Sequence, residues 1–352
     1  MPLLTHDRNQ NIMKPLTFTL GEENLALRDL HQGIGVYGGL STGKTVAITI
    51  PILREIFWQL IDEKPNTDKS KCGGFIIDKW GDLARCVKHE LTRAGRPIED
   101  LIEISLKSET KYHPFGKENS EEEIDLKKLQ AIKLGGSKEI PEAFQKETNL
   151  DFRSIFNEGK IVVLNGEEMS KSEFKTIASA MKFDFQKFQR DRIPLSAKNE
   201  GINVTRTVLF LCDEYQEYAT ESDNALFYHS RATRTACVIL CHTHNALELA
   251  LGDKGIAEDL CQKIGTWVFL RTTDAATAER GHRLISACKR GLFQTLPEKE
   301  EFSRLPVITM ETTKGWPWYS TGIIHRNVNP TPKFRKTKIH HLYYTNKESP
   351  FR

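Results

Sequence analysis

The chain has 352 residues, 39 % of them hydrophobic and 28 % charged, the profile of a soluble globular protein with room for one large α/β domain or two smaller ones. Its 50 basic and 47 acidic side chains leave a formal net charge of +3, too even a balance to establish nucleic-acid binding by itself. No apolar run approaches the ~18 residues of a membrane-spanning helix, Met1-Pro-Leu-Leu runs at once into polar residues without a signal-peptide pattern, and a cytoplasmic location is expected.

In chain order, Leu16 to Leu20 is a strand candidate, in a segment expected to pack beside the loop that follows. The apolar strand Gly33 to Tyr37 runs into Gly38-Gly-Leu-Ser-Thr-Gly43-Lys44-Thr45. Thr45 to Ile61 carries Ile48, Ile52, Ile56 and Leu60 at four-residue spacing, a mostly buried helix in which Pro51 is expected to cause a kink. After the polar stretch Lys64 to Lys71 come strand Gly73 to Asp78, helix Gly81 to Ala94 and strand Leu101 to Ser105. The charged run Lys117 to Lys133 is a helix candidate with a solvated face. Leu134-Gly-Gly-Ser137 ends it and reads as a flexible connection.

Strand Lys160 to Leu164 and helix Lys171 to Arg190 follow, then a polar excursion from Ile193 to Val204. Thr207 to Cys212 is the most apolar strand and ends in Asp213-Glu214. Helix Asn224 to Thr233, strand Ala236 to Cys241, helices around Asn245–Leu251 and Lys254–Lys263, strand Thr266 to Leu270 and helix Ala275 to Ala287 complete the alternation. Such alternation predicts an α/β fold, with a mainly parallel sheet and helices on both faces. Residues 1–115 and 156–290 are expected to be two parts of one nucleotide-binding domain, 116–155 a charged connector, and 291–352 a strand and loop extension.

The stretch Gly38, Gly39, Leu40, Ser41, Thr42, Gly43, Lys44, Thr45 fits G-x-x-x-x-G-K-[ST], the P-loop or Walker A pattern, with the strand before it and the helix after it where that pattern needs them. Its glycines let successive N–H groups curl toward phosphate oxygens, and the helix N-terminus adds partial positive charge. Lys44 would reach the β- and γ-phosphates of ATP, and Thr45 would ligate Mg²⁺. Asp213-Glu214 at a strand end is the Walker B pattern. Asp213 would hold the Mg²⁺ shell, and Glu214 would orient the attacking water.

His242 or His244, after the next strand, can sense the γ-phosphate through a hydrogen bond. Arg231 and Arg234 precede that strand and are candidates to serve a neighbouring subunit's nucleotide. Arg271, Arg280 and Arg283 are weaker candidates. Asp78 is placed to support the site. Lys333-Phe-Arg-Lys-Thr-Lys338, followed by His340 and His341, reads as a solvated tail able to contact phosphates. The seven cysteines are odd in number with no C-x-x-C pair, which fits free thiols in a reducing compartment. Cys237, Cys241, His242 and His244 do not converge as zinc ligands must, so core packing is the reading of the cysteines.

The ordered set of Gly38–Thr45, Phe75-Ile-Ile-Asp78-Lys-Trp-Gly-Asp-Leu-Ala84, Tyr112-His-Pro-Phe115, Phe210–Tyr218, Ser230–His242 and Thr266–Arg280 resembles the type IV secretion coupling proteins. These are TraD/TraG-like conjugation ATPases of the FtsK/HerA superfamily. The resemblance covers roughly residues 16–115 and 155–285. It implies a RecA-like domain that assembles as a ring, usually a hexamer, with Mg²⁺ and ATP bound between subunits and hydrolysis stimulated by DNA in the channel. By motif position it implies Lys44 and Thr45 as the Walker A pair, Asp213 and Glu214 as the Walker B pair, and Arg231 as the trans-acting arginine. His242 stands at the sensor position, where the family usually has Gln.

The family also carries membrane helices and a large all-α domain after its Tyr-x-Pro motif. Here the first are not seen, and the second is absent or reduced to the connector. The resulting expectation is a DNA-translocating ATPase motor, with a relaxase or other secreted cargo and secretion-channel proteins as partners, homo-oligomeric or monomeric as an isolated domain. A stand-alone HerA-like motor and a nucleotide-gated recruitment platform for protein cargo are the alternatives. A monomeric P-loop kinase would need an acceptor-binding lid, and none is visible.

Overall fold

The computed structural model describes residues 17–20, 23–57, 71–117, 119–193, 201–288, 297–305, 308–310, 318–326 and 333–340. The chain opens with strands β1 (Thr17–Leu20) and β2 (Glu23–Ala26), helix α1 (Leu27–His31) and strand β3 (Ile34–Tyr37). A π-helical stretch, Lys44–Thr49, continues as α2 (Ile50–Phe57). Then come β4 (Gly73–Asp78), α3 (Asp82–Arg93), β5 (Leu101–Ile104), α4 (Glu121–Lys133), α5 (Arg153–Asn157), β6 (Ile161–Asn165), α6 (Lys171–Asp191) and β7 (Val208–Cys212). They are followed by α7 (Asp223–Ser230), β8 (Thr235–Cys241), α8 (His244–Leu251), α9 (Lys254–Gln262), β9 (Thr266–Phe269) and α10 (Ala275–Ser286). Last come α11 (Lys299–Arg304), β10 (Ile308–Met310), β11 (Trp318–Arg326) and β12 (Lys333–His340).

Among the described residues ten strands form one sheet. Seven are parallel, in the order β9-β3-β8-β7-β4-β6-β5. Beyond β9 the long strand β11 runs antiparallel, with β10 and β9 sharing one of its sides and β12 lying along the other. Alternation along each strand divides the apolar side chains between two cores. Phe75, Ile77, Phe210, Cys212, Ile239 and Phe269 face one core, which α5 and α6 cover. Ile76, Leu209, Leu211, Val238 and Val268 face the other, which α2 and α3 cover. Parallel strands covered on both sides are apolar at every position, which is why these runs lack a polar face.

Several sequence expectations change. The helix after the glycine-rich loop changes its winding next to Pro51. It starts as a π-helix and becomes α-helical at Ile50. Proline lacks an N–H and its ring crowds the carbonyl four residues back, so a widened turn just before Pro51 relieves both. Leu60 and Ile61, assigned to this helix from spacing, lie outside the described residues, as does nearly all of the polar stretch after them. The hairpin β1–β2 does not lie beside the glycine-rich loop. Arg326, paired in register with the first residue of β9, holds Glu23 and Asp29, so the hairpin sits where β3 enters the sheet, the other end from Gly38.

Leu134-Gly-Gly-Ser137 is no flexible joint. Gly135 takes φ +72°, its N–H donates to the Ile132 carbonyl at 2.9 Å, and Gly136 N–H donates to the Ala131 carbonyl at 2.8 Å. This is a Schellman end to α4. Ser137 then docks on α6, its N–H on the Ser172 carbonyl and its own carbonyl accepting from Thr176 Oγ1. Nor is α4 only a solvated face. Lys127 is buried, with Nζ 2.6 Å from Asp184 on α6, and Tyr112 OH donates to the same carboxylate at 2.6 Å. The basic run from Lys333 to Lys338 is not a tail but the edge strand β12, where Arg335 pairs with Glu23 and Lys336 with Glu301. Charged side chains along a sheet edge discourage further strand pairing. His341 lies outside the described residues. Among those residues no helix is long and apolar enough to cross a membrane.

Candidate functional site

Strand register brings the candidate groups to one edge of the sheet. Tyr37 at the end of β3 pairs with Cys241 at the end of β8, and Cys212 at the end of β7 pairs with Ile239 of β8 and Ile77 of β4. The residues that leave these strands, Gly38, His242, Asp213 and Asp78, therefore emerge side by side. β8 lies between the strand that carries the loop and the strand that carries Asp213.

The loop is shaped by backbone conformations that side chains resist. Gly43, the N-cap of the helix, takes φ +91°, and Ser41 takes φ +56°. Gly38 N–H donates to the Cys241 carbonyl, Gly39 N–H to the Arg271 carbonyl, and Thr42 Oγ1 back to the Gly39 carbonyl at 2.9 Å. Leu40 and Ser41 are exposed, Thr42 is buried, and Thr45 is half-buried at the helix start. Lys44 is buried, and its Nζ donates to the Gly38 carbonyl at 2.7 Å and to the Gly39 carbonyl at 3.1 Å. Burial lowers its pKa, and the nearby Asp213 and Glu214 carboxylates act against that. An ammonium and a helix N-terminus at the same spot favour a polyanion.

His242 joins the loop to the acidic pair. Its Nδ1 lies 3.4 Å from Lys44 Nζ and its Nε2 lies 2.6 Å from Glu214 Oε2. An ammonium can only donate and a carboxylate can only accept, so these neighbours assign the proton to Nε2. Glu214 itself has a left-handed backbone, φ 52° and ψ 40°, which turns the chain from β7 into the 3₁₀ turn Tyr215–Glu217. Burial alone would raise its pKa, but the His242 and Gln216 hydrogen bonds hold it below the usual carboxylate value. Asp213 accepts the Glu214 N–H on Oδ1 at 2.9 Å. Burial first, then the Glu214 charge, push Asp213 up to about 6.

Gln216 is the residue that sequence reasoning missed. Its Nε2 donates to Glu214 Oε2 at 2.6 Å and its Oε1 accepts the His242 N–H at 3.2 Å. A polar residue four positions past a strand end carries no periodic signal, so only the fold reveals it.

The remaining candidates separate cleanly. His244 is a packing residue. It is buried, its Nδ1 lies 2.9 Å from Tyr37 OH, and its Nε2 lies 3.3 Å from Glu248. Asp78 spends its carboxylate on the N–H groups of Trp80, Gly81 and Ala84, tying down the start of α3. Burial pushes it up to about 7 against the Ala84 and Trp80 bonds. Arg280 is buried over the Trp267 ring and paired with Glu258, which Arg283 also holds at 3.0 Å. Arg234 bonds the Thr205 carbonyl at 2.8 Å. Arg271 is exposed, and its carbonyl meets the loop at the Gly39 N–H. Arg231 is exposed at the end of α7, where β8 begins, and its guanidinium has no partner among the described residues. The seven residues of β8 separate it from His242 by about 20 Å. Cys237 and Cys241 are both buried in the core that α6 covers.

Burial of His244 has a testable consequence. Burial first, then Arg280, lower its pKa from 6.5 to about 4. The unfolded chain thus takes up a proton near pH 6.5 and the folded chain only near pH 4, so the stability due to neutral His244 is present above 6.5 and is lost as the pH falls. Urea unfolding of wild type and His244→Gln at pH 7 and pH 5 should show the difference between the two shrinking by about 1 kcal/mol at the lower pH, a figure reduced for partial solvent access. A difference independent of pH would contradict a neutral buried imidazole.

The sheet order and the loop between β3 and its helix define a RecA-like P-loop α/β fold, and solved structures share it. The bacterial conjugative coupling protein TrwB, in its ΔN70 form, superposes with a TM-score of 0.64 at 12 % identity, over 96 % of this chain and 92 % of that one. The same protein in complex with a non-hydrolysable ATP analogue gives the same values, and in complex with ADP and Mg²⁺ a TM-score of 0.60 at 12 % identity over the same shares. VirB4 of Thermoanaerobacter pseudethanolicus superposes with a TM-score of 0.52 at 9 % identity, over 95 % of this chain and 98 % of that one. At these identities the likeness is one of fold. No family model and no curated protein matches the sequence.

Proposed function

We propose that the chain is the ATP-hydrolysing motor unit of a coupling-protein-like DNA translocase, working as a ring with nucleotide between subunits. The observation that carries this reading is His242 bridging Lys44 of the glycine-rich loop and Glu214 beyond β7. A phosphate-binding cation, a strand-end sensor and a carboxylate base are thereby linked in one hydrogen-bonded chain. The fold shared with TrwB, which binds an ATP analogue, ADP and Mg²⁺, supports the choice of nucleotide.

Lys44 neutralises phosphate charge, and Gly38 to Thr45 form the cradle. Thr45 and Asp213 would hold Mg²⁺, which supplies further charge neutralisation on the phosphates. The donor set fits. Asp213 is a half-buried carboxylate with Oδ2 unspent among the described residues, and those residues hold no group of three or more His, Cys, Asp or Glu that would cage a metal by themselves. Mg²⁺ takes one or two protein oxygens when substrate phosphates and water fill the rest of its shell. In the hydrolytic step, water oxygen bonds to the γ-phosphorus, the bond from that phosphorus to the β,γ-bridging oxygen breaks, and ADP leaves with the electron pair. Glu214 takes the water proton. Arg231, exposed and out of reach of its own subunit's loop, serves the γ-phosphate of the neighbour.

The test is steady-state ATP turnover against protein concentration, with and without DNA. Specific activity should rise with concentration and rise further with DNA. Arg231→Ala should be inactive alone and recover when mixed with Lys44→Ala, since each variant supplies the half-site the other lacks. Turnover that is flat with concentration, indifferent to DNA and unchanged in Arg231→Ala would sink the ring motor.

A further inference from the structure

We infer that Gln216 is a positioning residue that fixes one oxygen of the Glu214 carboxylate so that the other is left for the reacting water, an inference that rests on the hydrolytic reading above. Gln216 sits in the 3₁₀ turn after β7 and is 8 % exposed. Its carboxamide spans two elements, with Nε2 on Glu214 Oε2 at 2.6 Å and Oε1 on the His242 N–H at 3.2 Å. The same Oε2 meets His242 Nε2 at 2.6 Å. One carboxylate oxygen therefore takes two donors, from the turn after β7 and from the end of β8, while Oε1 takes none among the described residues.

Two donors converging on one oxygen stop the carboxylate from rotating, and that separates a base from a merely acidic side chain. Backbone geometry alone does not achieve this. A left-handed glutamate persists only where its surroundings over-determine it. Here Tyr215 OH is held by Asp223 at 2.7 Å, and Glu217 by Lys171 at 2.9 Å and Lys175 at 2.8 Å. Glutamine suits the position because it donates at one end and accepts at the other. With the carboxamide reversed, oxygen would face carboxylate and NH₂ would face N–H, so the partners themselves settle its orientation. A methionine of similar length offers neither bond, and a glutamate would set charge against charge.

The experiment uses the full chain and four proteins, namely wild type, Gln216→Met, Glu214→Gln and the double variant. Gln216→Met should lower kcat by about 10- to 100-fold, the cost of a misplaced catalytic group. KM and ATP affinity should stay at wild-type values, Tm should fall by a few degrees at most for the two lost hydrogen bonds, and the double variant should be no slower than Glu214→Gln alone. Independently of turnover, amide exchange at His242 should speed up in Gln216→Met while that at Leu240, inside β8, is unchanged. Gln216→Glu should also be slow.

If Gln216→Met keeps kcat within twofold of wild type while Glu214→Gln is slow, the positioning role is wrong and the hydrolytic reading stands. A loss of ATP affinity or Tm in step with kcat would make Gln216 a structural residue and overturn the inference equally. If wild type and Glu214→Gln turn over alike, the hydrolytic reading itself has failed, and the role of Gln216 falls with it.

Discussion

Glu214→Gln should reduce ATP turnover by about 10²- to 10³-fold and leave ATP bound as tightly as in wild type. The two halves of that statement have separate physical causes. On the proposed reading nucleotide affinity belongs to the loop and to Lys44, whose ammonium is buried against the Gly38 and Gly39 carbonyls. An incoming phosphate offers that ammonium a charged acceptor in place of two neutral ones, and charge-assisted bonds are roughly twice as strong. On the same reading Glu214 contributes at the other end, through proton acceptance. Its hydrogen bonds from His242 and Gln216 keep it ionised against the effect of burial, and an ionised carboxylate is what a base requires. A glutamine can keep the size and one acceptor atom but cannot take a proton. Lys44→Ala should behave oppositely, losing affinity by about 10-fold or more, as expected for a charged hydrogen bond removed from a phosphate site. Equilibrium binding of a labelled ATP analogue, read beside steady-state turnover, separates the two variants. Equal turnover in Glu214→Gln and wild type would take Glu214 out of the chemistry.

Local patterns made some of this legible and packing hid the rest. Strand, glycine loop and helix follow one another within a few residues, so Gly38 to Thr45 announces itself. Asp213-Glu214 does too, because it ends the most apolar run in the chain. The residues alone left His242 and His244 both open, since both follow β8 two residues apart, and only the resemblance put His242 at the sensor position. The two part at Thr243, whose hydroxyl caps α8 through the Ala246 N–H at 3.0 Å and so draws His244 into the helix and the core. Lys127 and Lys182 look like surface residues of charged helices, yet both are fully buried. Their partners, Asp184 and Asp223, lie 57 and 41 positions further on, beyond the reach of any periodicity. The antiparallel extension was hidden for the same reason. β11 mixes Trp318 and Tyr319 with Ser, Thr and Gly, β12 carries three lysines, and β11 joins the parallel strands by pairing with the distant β9.

Asp223→Ala should be the most damaging single change to stability, costing about 3–5 kcal/mol in urea unfolding. Lys182 Nζ lies 2.8 Å from Asp223 Oδ2, with both side chains wholly excluded from solvent. The carboxylate also accepts from Gln186 Nε2 at 2.6 Å, Tyr215 OH at 2.7 Å and the Thr220 N–H at 3.0 Å. Removing it strands an ammonium in the interior with only the Tyr218 carbonyl and the Thr220 hydroxyl for company. Lys182→Met should cost less, because Asp223 keeps three donors. The double change Lys182→Met with Asp223→Leu should be milder than Asp223→Ala alone, since no charge is left unpaired. A cost below about 1 kcal/mol for Asp223→Ala would mean that water or another group reaches Lys182. The cluster also matters to the site, because it clamps both ends of the turn that begins at Glu214. Tyr215 at the near end and Asp223 at the far end share one hydrogen bond, and α6 holds the far end through Lys182 and Gln186. Loosening that clamp frees the left-handed backbone of Glu214 to relax toward commoner conformations, carrying the carboxylate away from His242. Lys182→Met should therefore lower kcat even under conditions where the protein remains folded, with ATP affinity, which the proposed function assigns to the loop after β3, left in place.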